Sequence, residues 1–423
     1  MRTIITITLL ALSVALCADY LVLNSESQYL SLVNGIDWSI TDDPTQLGQF
    51  PYAAPNRIAI EGDIAWVTVT YENTLQGVSL RDGNARSTIY LADSAGPYDV
   101  LIDDGTAYVS GGTSNTLYRV NLADEQVTGE LPMGVYPEGL ALHEGMLYVC
   151  NSGFHFDTYS YDPGTVSVVD LASFAVVDTL HCATNPQEAL VVGNELHVAC
   201  SGDLFNIAGQ VDVFGLPGHE LLSSVETGGT PGRLSATDGV VYAANAYPAG
   251  VTTYSIDTHE VFTTPDNSPY TGGTDALAHN GNLLVLDAVD YIENSHLRVY
   301  RLADNMLLRD TELGVGALDV KYWDNGVSVD EEEDTPASGI AVQAWPNPVR
   351  QGCRVSFAPA AGKRGEVEVF NVRGQRVRTL SLVDGQAWWD GHDLNGRACT
   401  SGVYLLRVSS EGQTQTKRVT LLR

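Results

Sequence analysis

The sequence of residues 134–180 is GVYPEGLALHEGMLYVCNSGFHFDTYSYDPGTVSVVDLASFAVVDTL. It contains four apolar runs of strand length, separated by the turn-favouring residues Gly, Asn, Asp and Pro. The runs are rich in Val, Leu and Tyr, which are enriched in strands. The pattern therefore predicts four antiparallel strands, at Gly139–Leu142, Met146–Cys150, Thr165–Asp170 and Ala175–Leu180.

Weaker copies of this unit occur in phase on both sides. Complete copies start at Pro55, Pro97, Pro137, Pro186, Pro231 and Thr274, and an incomplete one starts at Gly316. The spacing of 40–49 residues, with four strands per copy, is typical of a β-propeller blade. Tyr20–Asn24, Gln28–Val33 and Trp38–Thr41 supply the three strands that the incomplete copy lacks. We therefore expect an all-β, seven-bladed propeller whose ring is closed by strands from its two ends, which removes exposed sheet edges.

Short motifs in this region resemble the YVTN family of seven-bladed propellers, which includes surface-layer and lactonase-like proteins. The motifs are Pro137-Glu138-Gly139, LYVCN at 147–151, TVSVVD at 165–170 and VVYAAN at 240–245. The resemblance covers residues 19–326. It implies the fold, whereas the functions of such a family range from binding and structural roles to hydrolysis.

The composition of the remaining residues predicts three further segments: a signal peptide, a linker and a C-terminal domain. Residues 1–18 carry Arg2 and then the apolar run Ile4–Leu16, which predicts a secretory signal peptide. Residues 327–339 contain DEEED and a proline, which predicts an extended acidic linker. Residues 340–423 contain about seven short apolar runs, which predict a small β-sandwich. No other stretch is long and apolar enough to predict a transmembrane segment.

The C-terminal part carries four ordered motifs, WPNP, VFNVRGQRV, WDGHDLNG and SGVYLLRV. They resemble the sorting domains of type IX secreted proteins, which are similar to the immunoglobulin-like domain of the flagellar hook-capping protein. The resemblance implies recognition by outer-membrane secretion machinery, and export through the periplasm to the cell surface or the medium. The motif residues are Trp345, Pro346, Asn347, Pro348, Asp390, Gly391, Asn395, Gly396, Gly402 and Tyr404. We expect Trp388, Trp389 and Tyr404 to pack in the core and turns of this domain.

The formal net charge is −30, and it is unevenly distributed. Residues 18–339 contain 9 Lys and Arg against 46 Asp and Glu, whereas residues 340–423 contain 12 against 6. Because phosphate recognition needs clustered cations, this composition argues against nucleic acid and phosphorylated ligands. Cations and neutral glycans remain compatible with it. Of the few cations, Arg57, Arg119 and Arg233 lie near first or third strands, and Arg57 and Arg233 are placed to point into the central channel.

Loops between second and third strands meet the starts of the first strands at one rim of a propeller. These loops are rich in aromatic and acidic residues, and loops on a rigid scaffold commonly carry binding sites. The predicted ligand-binding rim consists of Tyr71, Glu72, Phe154, His155, Phe156, Asp157, Tyr159, Asp203, Phe205, Asp290 and Tyr291. We expect it to bind a protein or a glycan, or to serve a structural role.

Two alternatives concern the same rim. Its carboxylates could hold Ca²⁺, which prefers hard oxygen ligands; the candidates are Asp157, Asp162, Asp287, Asp290 and Glu293. A lactonase-like or other hydrolase would need a positioned base and a charge stabiliser. His155, Asp157 and His181 can be proposed for those roles, although no sequence motif connects them.

Five cysteines follow the predicted signal peptide, which itself contains Cys17. Export favours disulfides. We predict one between Cys353 and Cys399, and one among Cys150, Cys182 and Cys200, with the pair left open.

Overall fold

The computed structural model describes residues 20–324 except 44, 82 and 204, and parts of the C-terminal region. The latter are residues 341–345, 349, 352–358, 365–371, 376–382, 386–394, 396–400, 402–410 and 413–421. The predicted signal peptide, the predicted linker, and Pro346, Asn347, Pro348 and Asn395 lie outside the described residues. The chain divides into two compact units, with the boundary in the sequence between residues 325 and 326. Within the described residues no helix has the length and apolarity needed to cross a membrane.

The N-terminal unit contains seven four-stranded antiparallel sheets, numbered here from the N-terminus. A single 3₁₀ turn, Thr70–Glu72, is its only helical element within the described residues. Sheet 1 comprises β1 (Tyr20–Asn24), β2 (Tyr29–Val33), β3 (Ile40–Asp42) and β30 (Ala317–Tyr322). Sheet 2 comprises β4 (Pro55–Glu61), β5 (Ile64–Val69), β6 (Thr74–Ser79) and β7 (Ala85–Tyr90). Sheet 3 comprises β8 (Pro97–Asp103), β9 (Thr106–Gly111), β10 (Thr116–Asn121) and β11 (Gln126–Pro132).

The remaining four sheets follow the same order. Sheet 4 comprises β12 (Pro137–His143), β13 (Met146–Asn151), β16 (Thr165–Asp170) and β17 (Ala175–His181), with a small hairpin inserted, β14 (Phe154–His155) and β15 (Ser160–Tyr161). Sheet 5 comprises β18 (Pro186–Val192), β19 (Glu195–Cys200), β20 (Gln210–Gly215) and β21 (Leu221–Glu226). Sheet 6 comprises β22 (Pro231–Thr237), β23 (Val240–Asn245), β24 (Gly250–Ser255) and β25 (Val261–Thr263). Sheet 7 comprises β26 (Asp275–His279), β27 (Asn282–Asp287), β28 (Asn294–Arg301) and β29 (Met306–Val315).

The first strands of the seven sheets form a closed ring. Contacts run from β30 to β4, β8, β12, β18, β22 and β26, and then back to β30. Sheet 1 has the order β3-β2-β1-β30, so strands from both ends of the unit share it. The predicted propeller fold and its closure are therefore confirmed. The pairing of β1 with β30 occupies edges that an open ring would expose.

The cores lie between neighbouring sheets, because the second strands are buried on both faces. In β19, Leu196, Val198 and Cys200 pack against sheet 4, whereas Ala199 packs against sheet 6. Side chains of a strand point alternately to its two faces. A strand covered on both sides is therefore apolar almost throughout, as LYVCN and VVYAAN are.

The C-terminal unit consists of two antiparallel sheets that share one core. Trp389 and Tyr404 are buried in this core with their rings 5.0 Å apart, as predicted, whereas Trp388 is 53% exposed. Asp390 accepts a hydrogen bond from the His392 N–H at 3.0 Å. One sheet comprises β31 (Ala341–Trp345), β32 (Cys353–Ala358) and β35 (Gln386–Trp389). The other comprises β33 (Gly365–Asn371), β34 (Arg376–Leu382), β36 (Gly402–Ser410) and β37 (Gln413–Leu421).

The disulfide predictions are wrong for this structure. The described cysteines form no disulfide, and Cys353 and Cys399 are both part of the apolar core of the C-terminal unit. Cys150 and Cys200 are buried between sheets 4 and 5, and Cys182 packs against the same cluster. Burial raises the pKa of the Cys150 and Cys200 thiols well above their usual value. These thiols act as small apolar core residues.

Candidate functional site

A cavity of about 300 Å³ lies where the first strands begin, at the rim end of the ring. All seven sheets or their loops contribute to its wall, so it is called here the axial cavity. Its lining residues are Asn56, Arg57, Tyr98, Tyr161, Asn185, Gln187, Ser201, Thr230, Gly232, Arg233, Ala246, Gly273, Thr274, Tyr291 and Leu318. Most of them follow a blade-start proline or the end of a second strand.

Arg233 anchors a buried ion cluster beside this cavity. The Arg233 guanidinium donates to the Glu188 carboxylate and to Asp319, the latter at 2.6 Å, and its Nε lies 3.7 Å from Asp275. Asp319 is completely buried and also lies 3.3 Å from the Lys321 ammonium. Four sheets contribute to this cluster. Because a buried charge is tolerated only when it is paired, the cluster holds its sheets in one register.

Arg57 is equally buried but is bound differently. Its Nη1 donates to the carbonyl oxygen and to Oδ1 of Asn56, both at 3.0 Å. Its guanidinium carbon lies 5.1 Å from the centre of the Tyr98 ring, a cation–π contact. Nε has no hydrogen-bond partner. No carboxylate of the described residues lies within 4 Å of this guanidinium.

Two buried glutamates, Glu138 and Glu188, have raised pKa values. Burial raises the pKa of Glu138 to about 7, partly opposed by hydrogen bonds from Ser152 and Tyr98. Burial likewise raises the pKa of Glu188 to about 7, against the attraction of Arg233. The Oε2 atom of Glu138 has no hydrogen-bond partner. Near neutral pH, Glu138 is therefore poised between its two protonation states.

Aromatic side chains form a continuous path from the axial cavity to the hairpin of sheet 4. The Tyr98 ring lies 6.5 Å from Tyr136, whose ring lies 5.9 Å from Phe154 and 5.3 Å from Phe156. Phe154 in turn contacts Tyr161 at 5.2 Å, and Tyr161 lines the axial cavity. Contacts of this kind between aromatic rings are favourable and stabilise the packing of the hairpin. The inserted hairpin is thus packed onto the mouth of the ring.

A second cavity, of about 520 Å³, lies between this hairpin and the loop of sheet 5. Its wall includes Tyr159, Tyr161, Cys182, Asp203 and Phe205. Tyr161 lines both cavities, so the two are neighbours.

The structure distributes the predicted rim residues over several environments. Tyr291 lines the axial cavity; Tyr159, Asp203 and Phe205 line the second cavity. Tyr71 is 74% exposed, outside both cavity walls. Phe154, His155 and Phe156 belong to the hairpin and its tip, and Asp157 is exposed there.

Three carboxylates of the predicted rim accept hydrogen bonds from backbone N–H groups of loops. Asp203 accepts hydrogen bonds from the N–H groups of residues 205–207, which lower its pKa to about 2. Asp290 accepts them from residues 292 and 293, each at 2.9 Å. Glu72 accepts them from residues 49 and 50. Asp203 and Asp290 thereby satisfy backbone donors of their own loops, whereas Glu72 connects its turn to a different loop.

The predicted calcium ligands do not converge. Asp162 bonds His155 at 3.0 Å, and Asp287 bonds Arg298 at 2.7 Å. The described residues contain no group of three or more His, Cys, Asp or Glu side chains that could hold a metal ion. Of the residues proposed for catalysis, His155 bonds Asp162, Asp157 is exposed, and His181 is exposed at the end of β17.

Sequence reasoning missed most of the axial wall. Tyr98, Asn185, Gln187 and Thr230 were not predicted, although each lies within two residues of a blade-start proline. That repeated position was the available signal. The prediction that Arg57 and Arg233 point into the channel agrees with their place in the cavity wall.

The C-terminal unit matches a known domain family. Residues 343–421 match the family described as "Secretion system C-terminal sorting domain". This domain addresses proteins to type IX secretion. The protein is exported to the cell surface or beyond. The predicted sorting function and localisation are thereby confirmed, and the secretion machinery is a partner of the C-terminal unit.

Two solved structures of low sequence identity, with TM-scores of 0.50 and 0.51, are similar to this chain in fold. Dihydro-heme d1 dehydrogenase NirN in complex with DHE has a TM-score of 0.51 and 12% identity, over 72% of this chain and 75% of that chain. Hydrazine synthase from Kuenenia stuttgartiensis has a TM-score of 0.50 and 13% identity, over 64% of this chain and 90% of that chain. BamB from Moraxella catarrhalis has a TM-score of 0.47 and 16% identity, over 70% and 83% of the two chains. No curated protein matches. At such identity the likeness concerns the fold and leaves the ligand to be argued from the site.

Proposed function

We propose that the protein binds a glycan in the axial cavity, at the cell surface or in the extracellular medium. One observation carries the proposal, namely the chemistry of the cavity wall. Three tyrosines, Tyr98, Tyr161 and Tyr291, belong to this wall, and aromatic rings pack well against the C–H faces of a sugar ring. Amides and hydroxyls complement sugar hydroxyls, because each can donate and accept hydrogen bonds; they belong to Asn56, Asn185, Gln187, Ser201, Thr230 and Thr274.

We also propose a domain assignment for the whole chain. We infer that each of the seven sheets is one blade of a YVTN-type propeller spanning residues 19–326, which the closed ring of first strands supports. Residues 340–423 are taken as an immunoglobulin-like sandwich, on the basis of two sheets around one core. Residues 1–18 are taken as a signal peptide and residues 327–339 as a linker.

A protein ligand is the second candidate, because the rim loops expose large aromatic side chains. Tyr71, Phe156, Tyr159 and Phe205 are 74%, 57%, 81% and 90% exposed. Aromatic residues are enriched at protein interfaces, and exposed apolar patches often mark them. Such a partner would cover the rim rather than fill the axial cavity.

The test uses the full chain on a glycan array, followed by calorimetry with the best binder. We expect Tyr291→Ser to weaken binding about thirtyfold, since truncating a central aromatic contact costs about 2 kcal/mol. Tyr291 is 48% exposed in a loop, so this change spares the core. The control is Tyr90→Ser, on the outermost strand of sheet 2 and 53% exposed, which should bind like the native protein.

Two results would contradict the proposal. One is an array without any binder. The other is a glycan whose affinity falls equally in the Tyr291 and Tyr90 variants, because that glycan would not occupy the axial cavity.

A further inference from the structure

The axial cavity differs in charge from the molecule around it. Residues 18–339 contain 46 acidic residues and only nine basic ones. Yet the charged residues of the cavity wall are Arg57 and Arg233, and neither Asp nor Glu belongs to this wall. A strongly acidic unit thus presents two guanidinium groups to its central cavity.

The two arginines have different electrostatic surroundings. Arg233 is compensated by Glu188, Asp275 and Asp319. Arg57 has only neutral hydrogen-bond acceptors, both on Asn56, and an Nε without a partner. It is nevertheless 94% buried, since its relative exposure is 6%. Burial opposes the charged state of Arg57, but Asp319 and Asp99 attract the guanidinium without touching it, so its pKa is raised rather than lowered.

Nearby carboxylates attract Arg57 but are committed elsewhere. Asp319 bonds Arg233 at 2.6 Å and accepts the Ile58 N–H at 2.7 Å. Asp99 accepts the N–H groups of Val100 at 2.8 Å and Leu140 at 3.0 Å. These contacts fix both carboxylates to the backbone of the ring. The cavity side of Arg57 is therefore left for a group that the protein itself does not supply.

We propose that Arg57 binds a carboxylate of the ligand, so that the axial cavity takes an acidic sugar of the uronic acid class. This inference rests on the proposed glycan-binding function and narrows its substrate class. A guanidinium donates charge-assisted hydrogen bonds to a carboxylate. Nη1 of Arg57 is already bonded to Asn56 and Nε is buried, so Nη2 is the group that remains for the ligand. The tyrosines and amides of the wall then contact the sugar ring. A dianionic phosphate fits less well, because the Asp99 and Asp319 carboxylates that act on Arg57 also repel a second negative charge on the ligand.

The experiment compares an oligogalacturonate with its fully methyl-esterified form, which differs only in the charge of the carboxyl groups. Calorimetry with the full chain should give at least tenfold tighter binding of the acid. Arg57→Gln should abolish this preference, and Arg57→Lys should retain part of it, because lysine keeps the charge without the planar fork. Arg119→Gln is the matched control, because Arg119 stacks on Phe174 outside the cavity wall, and it should behave like the native protein.

Each outcome decides the inference. Equal affinity of the native protein for acid and ester would overturn it, even if Arg57→Gln failed to fold. Competition by inorganic phosphate as strong as that of the uronate would also overturn it, because the site would then be a general anion site. An array that binds neutral glycans alone refutes this inference and leaves the proposed function standing; an array without any binder refutes both.

Discussion

Buried charged residues near the start of the first strands connect neighbouring sheets. Asp319 of sheet 1 accepts the Ile58 N–H of sheet 2 at 2.7 Å. Asp99 of sheet 3 accepts the Leu140 N–H of sheet 4 at 3.0 Å. Asp275 of sheet 7 accepts the Val320 N–H of sheet 1 at 2.9 Å. Each carboxylate satisfies a backbone donor of the next sheet, which explains why acidic side chains are kept in the centre of the ring.

Glu138 differs from these carboxylates, and its environment predicts a dependence of stability on pH. Burial raises its pKa from 4.5 to about 7, so between these values the native state binds more protons than the unfolded state. The free energy of unfolding must then fall as the pH rises through 7. Glu138→Gln removes this titration. Between pH 5 and pH 8.5 we expect the variant to gain about 2 kcal/mol relative to the native protein.

Urea unfolding at the two pH values measures this difference. Glu130→Gln, at an exposed position of β11, is the control and should follow the native profile at both pH values. Parallel profiles for the native protein and the Glu138 variant would contradict the assignment of a raised pKa to this carboxyl.

At the scale of the strand, one polar contact recurs within four sheets. A side chain at the end of the second strand bonds a side chain on the third strand, two residues beyond its own register partner. The pairs are Asn24 with Ser31 at 2.8 Å, Asn151 with Ser167 at 3.0 Å, Asn245 with Thr252 at 3.0 Å and Asp287 with Arg298 at 2.7 Å. The repeat thus contains a polar contact between its second and third strands, called here the polar lock, in addition to its apolar pattern.

The lock predicts that Asn245→Ala destabilises the protein by about 1–3 kcal/mol, because it leaves the buried Thr252 hydroxyl without its amide donor. Denaturant unfolding measures the change. Asn206→Ala, in the exposed loop of sheet 5, is the matched control and should alter the free energy of unfolding by less than about 0.5 kcal/mol. A loss at position 245 no larger than that of the control would show that the amide contact is energetically neutral.

The strands and the ring closure could be predicted from the sequence because both follow from periodicity. Apolar alternation with turn residues determines where strands such as Met146–Asn151 form, and the phase of the repeat assigns Ala317–Tyr322 to the sheet of Tyr20–Asn24. The site could not be predicted in this way. The carboxylates of Asp203 and Asp290 bond the backbone of their own loops, and Glu72 bonds the backbone of residues 49 and 50; composition does not distinguish such contacts from ligand contacts. The axial wall combines single residues from seven sheets, so no local motif encodes it.

At the scale of the molecule, the average charge was a poor guide to the cavity. The acidic composition argues against nucleic acid and phosphorylated ligands, but two of the nine basic residues in residues 18–339, Arg57 and Arg233, line the axial cavity. Long-range fields of exposed charges are screened by salt within about 10 Å, whereas a buried guanidinium acts on a ligand at contact distance. Local composition at the strand starts is therefore the better predictor of the charge of the cavity wall.

The two units also differ in charge in a way that fits their separate tasks. The N-terminal unit is strongly acidic and the C-terminal unit is basic, with 12 Lys and Arg against 6 Asp and Glu in residues 340–423. Each has its own apolar core, so the sorting domain can be removed without opening the cores between the propeller sheets. Removal of the sorting domain should change the location of the protein and leave the fold of the propeller unchanged.

Deletion of residues 340–423 should accordingly trap a folded propeller in the periplasm of a host that carries type IX machinery. Surface protease digestion and cell fractionation report the location, and the circular dichroism spectrum and melting transition of the recovered protein report its fold. The control is the full chain with Leu394→Ser, an exposed position of the sorting domain that leaves the core intact and should reach the surface normally. If the variant without residues 340–423 reached the surface as efficiently as this control, the sorting role of the C-terminal unit would be refuted. If it reached neither the surface nor a folded state in the periplasm, the two units would not be independent, because the propeller would then require the sandwich to fold.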